Sequence, residues 1–237
     1  MEDLIDFDPY FDNEIIKEIK LHGTRKKISE HLYESYKNKI HASMFRYIEI
    51  QELEDFKNKF GRGSLIDHFI RAVALSLAEK KELNATFNND LYKIYKDVNI
   101  SYAVNTNKGI LTPVLKYSDK LSFEEFYSKR KEIISLVLSW NHKISDISGG
   151  TFTITNLGNF GVDFLLPIIN SPQVAILGIG RTSRMNISWD EKPPELKNLM
   201  PISITYDHSV VDGAAVAEFA QVIQDKVNKP DNLWTNY

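Results

Sequence analysis

The run Ser203-Ile204-Thr205-Tyr206-Asp207-His208-Ser209-Val210-Val211-Asp212-Gly213 carries a strand into a helix through a histidine. Residues 202–206 are β-branched and aromatic, the pattern of a buried strand. Residues 214–227 are amphipathic with a helical period. His208 therefore falls at a strand end, on a short connection closed by a helix N-terminus, where scaffolds present reactive groups. An imidazole, with an ordinary pKa of about 6.5, suits general-base work at neutral pH. Asp212 takes the N-cap position, where a carboxylate accepts backbone N–H bonds and faces the positive end of the helix dipole. Six histidines and average Asp and Gly usage give roughly 0.02 chance occurrences of His-x-x-x-Asp-Gly. A strand-end histidine before a capping aspartate can also be purely structural, so the local pattern alone leaves both readings open.

The chain has 237 residues without a sustained linker, which suits one large domain, and 43% hydrophobic residues can build its core. A net charge of −3 offers no basic face for nucleic acid. The lysines of residues 17–27 and the Lys37/Lys39 pair read as solvated helix surface. There is no cysteine, which excludes disulfides, thiolate metal sites and a cysteine nucleophile. Any thiol in the chemistry must come from a substrate, and no metal is expected. Met1-Glu2-Asp3-Leu4 lacks a basic and an apolar region of the signal-peptide kind, and no apolar run reaches the roughly 18 residues a membrane span needs. The expectation is a cytoplasmic protein with neither membrane nor nucleic acid as partner.

Residues 1–23 read as an acidic, then mixed arm with Phe7, Tyr10 and Phe11 packing on the body or on a neighbour; residues 24–237 read as the catalytic domain. Thr24 is placed as the N-cap of a helix over 24–36, with Ile28, Leu32 and Tyr36 on one face. A strand over 44–50 and a short helix over 51–59 follow. Ser64 caps a largely apolar helix over 65–80. Asn88-Asn89-Asp90 reads as a hairpin turn between 85–87 and 91–95. Residues 98–104 and 110–115 read as strands, Ser122 as the cap of a helix over 123–138, and 151–155 and 174–179 as strands. Pro193-Pro194 marks a surface loop. Strands and helices mix without strict βαβ alternation, so the fold class is α/β of the α+β type: a mixed sheet with helices packed mainly on one face.

Longer segments carry a resemblance. Gly149-Gly150-Thr151-Phe152-Thr153-Ile154-Thr155-Asn156-Leu157-Gly158 is similar to the GGTFTISNLG signature of the 2-oxo acid dehydrogenase acyltransferases. Ile168-Ile169-Asn170-Ser171-Pro172-Gln173-Val174-Ala175-Ile176-Leu177-Gly178-Ile179-Gly180 resembles that family's IINPPQAAILGVG, and Asp207-His208-Ser209-Val210-Val211-Asp212-Gly213-Ala214 its DHRVIDGA. The strands beginning at Lys96 and Gly109 resemble family strands in order and spacing. The likeness runs from about Thr24 to Lys229.

The resemblance implies a chloramphenicol acetyltransferase-like fold built as a homotrimer or larger assembly, with active sites at subunit interfaces. It implies acyl transfer between coenzyme A, as substrate, and a dihydrolipoyl thiol carried on a lipoyl-domain or acyl-carrier partner in trans. By motif, His208 looks like the base that deprotonates the attacking thiol. Thr155 stands where the family has a serine or threonine donating to the tetrahedral oxyanion; by itself, a threonine in a strand carries no such assignment. Asp212 looks like the aspartate that holds the active-site turn, with Gly213 in support and Arg25 resembling an early family arginine that pairs with it. Asn156 and Thr112 are candidates for contacting coenzyme A. His22, His31, His41, His68 and His142 match no motif and read as surface or satisfied core residues.

Two departures stand out. Ser209 takes the place of the family's usual arginine, removing a cation from the turn. No lipoyl domain with its Asp-Lys-Ala turn fits before Thr24, which leads to the expectation of an excised core or, slightly favoured, a stand-alone enzyme. The alternatives are a repurposed acyltransferase with another acceptor in a biosynthetic pathway, and a non-catalytic trimeric scaffold. The scaffold reading is opposed by the presence of His208, Asp212 and a hydroxyl at Thr155.

Overall fold

The computed structural model describes residues 7–8, 13–188 and 193–234. A two-residue ribbon pairs β1 (Phe7–Asp8) with β2 (Asn13–Glu14). The side chains of Phe7, Tyr10 and Phe11, and the terminal residues 235–237, lie outside what is described. Residues 15–22 form no helix or strand, and Ile16, Ile19 and Leu21 are exposed while Ile15 is partly covered.

Helix α1 (Gly23–Asn38) begins one residue earlier than Thr24, with His22 at the N-cap and no side-chain capping bond. Strand β3 (His41–Glu49) and α2 (Gln51–Phe60) follow. The serine caps hold. Ser64 opens α3 (Leu65–Glu79) through a capping box with Asp67, and Ser122 opens α4 (Phe123–Leu138) through one with Glu125. In each, a hydroxyl and a carboxylate satisfy the backbone donors that a helix start leaves orphaned. The Asn88 hairpin also holds: Asn89 and Asp90 both take positive φ between β4 (Ala85–Asn88) and β5 (Leu91–Ile94), as a type I′ turn requires.

The strand expected over 98–104 is instead two pieces, β6 (Ile100–Tyr102) and β7 (Val104–Thr106), and 110–115 likewise divides into β8 (Gly109–Leu111) and β9 (Val114–Leu115). The break has a partner-based cause. β6 lies in the main sheet against β9, while β7 leaves it to pair only with β8.

The main sheet adds β10 (Phe152–Asn156), β11 (Ala175–Ile179), β12 (Ser183–Ile187) and β13 (Glu195–Asp207). It runs β3-β13-β11-β10-β6-β9, with β12 paired to the first residues of β13. β10 is parallel to β11 and β6; the other pairs are antiparallel. β13 is far longer than the expected 202–206. Its Pro201, which has no N–H to give, sits where β13 changes partner, and accepts instead from Gly180 N–H at 2.9 Å.

Helices α3 and α5 (Gly213–Val227) pack together over one sheet face. Phe69, Phe152, Phe219, Ile154, Leu177 and Ile204 are buried between them and the sheet. Across the other face runs a row that is polar except at its centre, Ser101–Thr153–Ile176–Thr205–Ser43, set by strand register. It is tied into a chain of hydrogen bonds: Gln173 donates to Ser101, Thr153 donates to Gln173, and Asn170 donates to Thr153.

His68 is a satisfied core histidine. Nε2 lies 3.0 Å from the Arg62 carbonyl, and Nδ1 accepts the Trp234 indole N–H at 3.0 Å, which fixes the neutral Nε2–H tautomer. Trp234 also packs on Phe123 and Phe126, so this part of the tail docks on its own subunit. Burial lowers the His68 pKa below 6.5. The unfolded chain then takes up the proton first. This contribution to stability is full above about pH 6.5 and is lost as pH falls from there towards the lowered folded-state value. We expect the melting temperature to fall between pH 7 and pH 5, and to fall less steeply in His68→Phe; parallel slopes for the two proteins would show that His68 is not responsible.

Candidate active site

His208 follows directly on β13, is exposed, and its ring lies 5.4 Å from that of Tyr206. The imidazole makes no hydrogen bond among the described residues, so its position depends on its backbone. That backbone is held firmly. His208 N–H donates to the Ile40 carbonyl at 2.8 Å, and Val210 and Val211 N–H donate to the Asp207 carbonyl at 3.2 and 3.0 Å. Val211 is buried in the core and Ser209 is exposed.

Asp212 occupies the N-cap of α5 as expected, but its carboxylate makes no capping bond and is exposed. Gly213 has a packing reason: a Cβ there would stand 3.1 Å from the Tyr206 hydroxyl. Arg25 is exposed on α1 and forms no ion pair among the described residues, so the Arg25–Asp212 pair is absent from a single subunit.

The hub of the turn is a residue the sequence reading passed over. Asp207 is fully buried. Its Oδ1 accepts Ile40 N–H and Ser209 N–H, both at 3.2 Å, and the Ser209 hydroxyl at 2.5 Å. Its Oδ2 lies 3.2 Å from Lys39 Nζ, whose side chain is 3% exposed. Lys39 is thus corrected from solvated surface to buried cation. It is the C-cap residue of α1, two residues before β3, and points inward. The signal available was Asp207 itself, a charge ending a strand of otherwise buried residues, which demands a partner.

Thr155 and Asn156 end β10 and are half-buried. Asn156 Oδ1 accepts Gly158 N–H at 2.9 Å, closing the turn that follows. Gly158 is required there, since a Cβ would come within 2.6 Å of the Gly180 carbonyl oxygen. Thr112 belongs to this end too. Tyr102 N–H donates to the Pro113 carbonyl and Ala103 N–H to the Ile154 carbonyl, which places Thr112 and Thr155 on either side of Ala103.

Register separates the two halves of the expected site. Thr155 pairs with Gly178, and Gly178 with Ser203. His208 lies five residues further along β13 than Ser203, about 17 Å along the strand and about 10 Å across two strand spacings from Thr155. One subunit therefore holds His208 at one end of the sheet and Thr155 at the other.

The remaining histidines follow expectation with one exception. His22 and His31 are exposed, and His41 is partly buried with Nδ1 3.2 Å from the Lys39 carbonyl and Nε2 accepting Ile169 N–H. His142 differs: its Nδ1 is buried and unpartnered among the described residues. No cluster of three or more potential metal ligands occurs among the described residues, and none of their helices is long and apolar enough to cross a membrane.

The profile of the 2-oxoacid dehydrogenases acyltransferase (catalytic domain) family matches residues 13–235. The chain belongs to this family. Among the acyltransferase relatives is the dihydrolipoyllysine-residue succinyltransferase component of the 2-oxoglutarate dehydrogenase complex of Buchnera aphidicola subsp. Baizongia pistaciae, 33% identical over 89% of this chain and 53% of that protein. Another is the dihydrolipoyllysine-residue acetyltransferase component of the pyruvate dehydrogenase complex of Buchnera aphidicola subsp. Acyrthosiphon pisum, 32% identical over 87% of this chain and 55% of that protein. The chain spans about half the length of the curated relatives it matches.

Among solved acyltransferases, the chain superposes on Azotobacter vinelandii dihydrolipoamide acetyltransferase with TM-score 0.87 at 28% identity, covering 97% of this chain and 98% of that one. That structure belongs to work on a serine, a histidine and an asparagine in the catalytic mechanism, the asparagine four residues after the histidine. The cubic core of the pyruvate dehydrogenase multienzyme complex matches equally, at TM-score 0.87. Chloramphenicol acetyltransferase, 17% identical with TM-score 0.57 over 84% of this chain and 94% of that one, shares the fold. The expected fold and family are therefore those found.

Proposed function

We propose that the chain is an acyltransferase core that moves an acyl group between coenzyme A and a dihydrolipoyl thiol presented in trans, at sites each completed by two subunits, in the cytoplasm. The observation that carries this is the register: the base half and the hydroxyl half of one subunit are too far apart to act on one carbonyl. Head-to-tail contact between copies brings them together. Residues 13–23 of the arm, with Ile16, Ile19 and Leu21 exposed, then dock on a neighbouring copy. So does the exposed aromatic strip of Phe45, Tyr47 and Phe164, whose rings lie 5.2–5.5 Å apart.

In this reading the imidazole of His208 takes the thiol proton, and the thiolate sulfur attacks the thioester carbonyl. The Thr155 hydroxyl of the neighbouring copy donates to the oxyanion. The intermediate collapses by breaking its bond to the departing sulfur, which receives the proton back from His208. No metal and no protein nucleophile is needed. The Azotobacter enzyme's histidine and the polar residue four positions after it correspond in spacing to His208 and Asp212. Asp212, exposed and without a capping bond in its own subunit, pairs with Arg25 of a neighbouring copy, and Thr112 and Asn156 line the coenzyme A side of the site.

Transfer from acetyl- and succinyl-coenzyme A to dihydrolipoamide, measured together with molar mass by light scattering, tests the proposal. We expect a trimer or larger assembly with turnover. A monomer with full turnover would eliminate the two-subunit site. A trimer that hydrolyses acyl-coenzyme A slowly but ignores dihydrolipoamide would identify a repurposed enzyme with a different acceptor.

A further inference from the structure

We propose that Lys39, Asp207 and Ser209 form a positioning device that fixes the His208 imidazole for proton transfer, an inference that rests on the base role given to His208 above. The imidazole has no hydrogen-bond partner among the described residues and only rests beside the Tyr206 ring, so its backbone aims it. Three successive residues of that backbone are tied at Ile40, just before β3, and at the Asp207 carboxylate: Asp207 through its carboxylate to Ile40 N–H, His208 through its N–H to the Ile40 carbonyl, and Ser209 through its N–H and hydroxyl to the same carboxylate. Asp207 Oδ1 thus gathers three donors, two of them from Ser209. Lys39 supplies the buried counter-charge at Oδ2 and is itself held by the Phe87 carbonyl at 3.3 Å.

Fold stability alone does not account for this arrangement. Two buried charges recover by mutual attraction little more than they lose in hydration, and an apolar pair of similar volume holds a fold as well. What an apolar pair cannot supply is an acceptor that locks the backbone on both sides of His208. Lys39 and Asp207 do not touch the reacting atoms. They act through the geometry of the turn, where a displacement of about 1 Å is enough to cost about 10²-fold in rate.

The test uses the assembled protein and compares Ser209→Ala, Ser209→Thr and Lys39→Met. Ser209 is exposed, so its variants fold even if Lys39→Met does not assemble. Ser209→Ala is expected to lower kcat about tenfold with both KM values unchanged, and Ser209→Thr, which keeps the hydroxyl, to restore it. Lys39→Met is expected to lower kcat about 10²-fold. In both Ser209→Ala and Lys39→Met, hydrogen exchange at the amides of residues 208–211 is expected to rise about tenfold, while the α3 amides stay protected. Assembled Ser209→Ala protein with kcat and exchange unchanged would overturn the proposal, as would faster exchange with no change in kcat. If the parent protein shows no transfer at all, the base role of His208 fails separately. The exchange rates then decide the pinning alone: faster exchange in Ser209→Ala upholds it and unchanged exchange removes it.

Discussion

His208→Ala is expected to lower kcat for acyl transfer by about 10²–10⁴, with the assembly and its melting temperature unchanged. Two observations set these expectations apart from an ordinary destabilising substitution. The imidazole is exposed and makes no hydrogen bond among the described residues, so its removal orphans no buried group among them. The turn is held by Asp207, Ile40 and the buried Val211 rather than by the histidine ring. Stopped turnover in a variant that melts and sediments like the parent would mark a chemical role. Undiminished turnover would remove His208 as the base.

A second expectation has the larger diagnostic reach. Thr155→Val should cost about 10²–10³ in kcat, the scale of a lost oxyanion donor. Mixing it with His208→Ala should give activity that neither has alone. When the two variant chains are denatured together at equal amounts and reassembled, head-to-tail contacts pair a His208 from one with a Thr155 from the other in about one quarter of sites. Recovered activity near that fraction supports sites built from two chains. No recovery in well-formed mixed assemblies would mean that each chain supplies both groups, against the separation along β13.

What could be read from the sequence was whatever a short stretch of chain decides by itself. Ser64 and Ser122 name their helices because a cap and its acidic partner lie three residues apart. Asn89 and Asp90 name their turn because they tolerate positive φ. Apart from the start of α1, which falls at Gly23 rather than after Thr24, the failures involve distant partners. Ala103 looks like mid-strand until β6 and β7 are seen to pair with different strands. Residues 195–201 gain strand structure from β12 and β3 across the chain. The motifs brought out His208, Asp212 and Thr155, but not which of them stand together, because strand register decides that. Lys39 was missed because a lysine at a helix end is ordinarily solvated, and only the pairing of β3 with β13 brings it to Asp207.

The split of the site along one sheet has a further consequence, for concentration. If the site is shared as proposed, a lone subunit, however well folded, contains no finished site. Activity per chain should therefore decline on dilution with a midpoint set by the association constant, while circular dichroism stays flat through the same range. Enzyme units in such a protein count contacts between chains rather than chains.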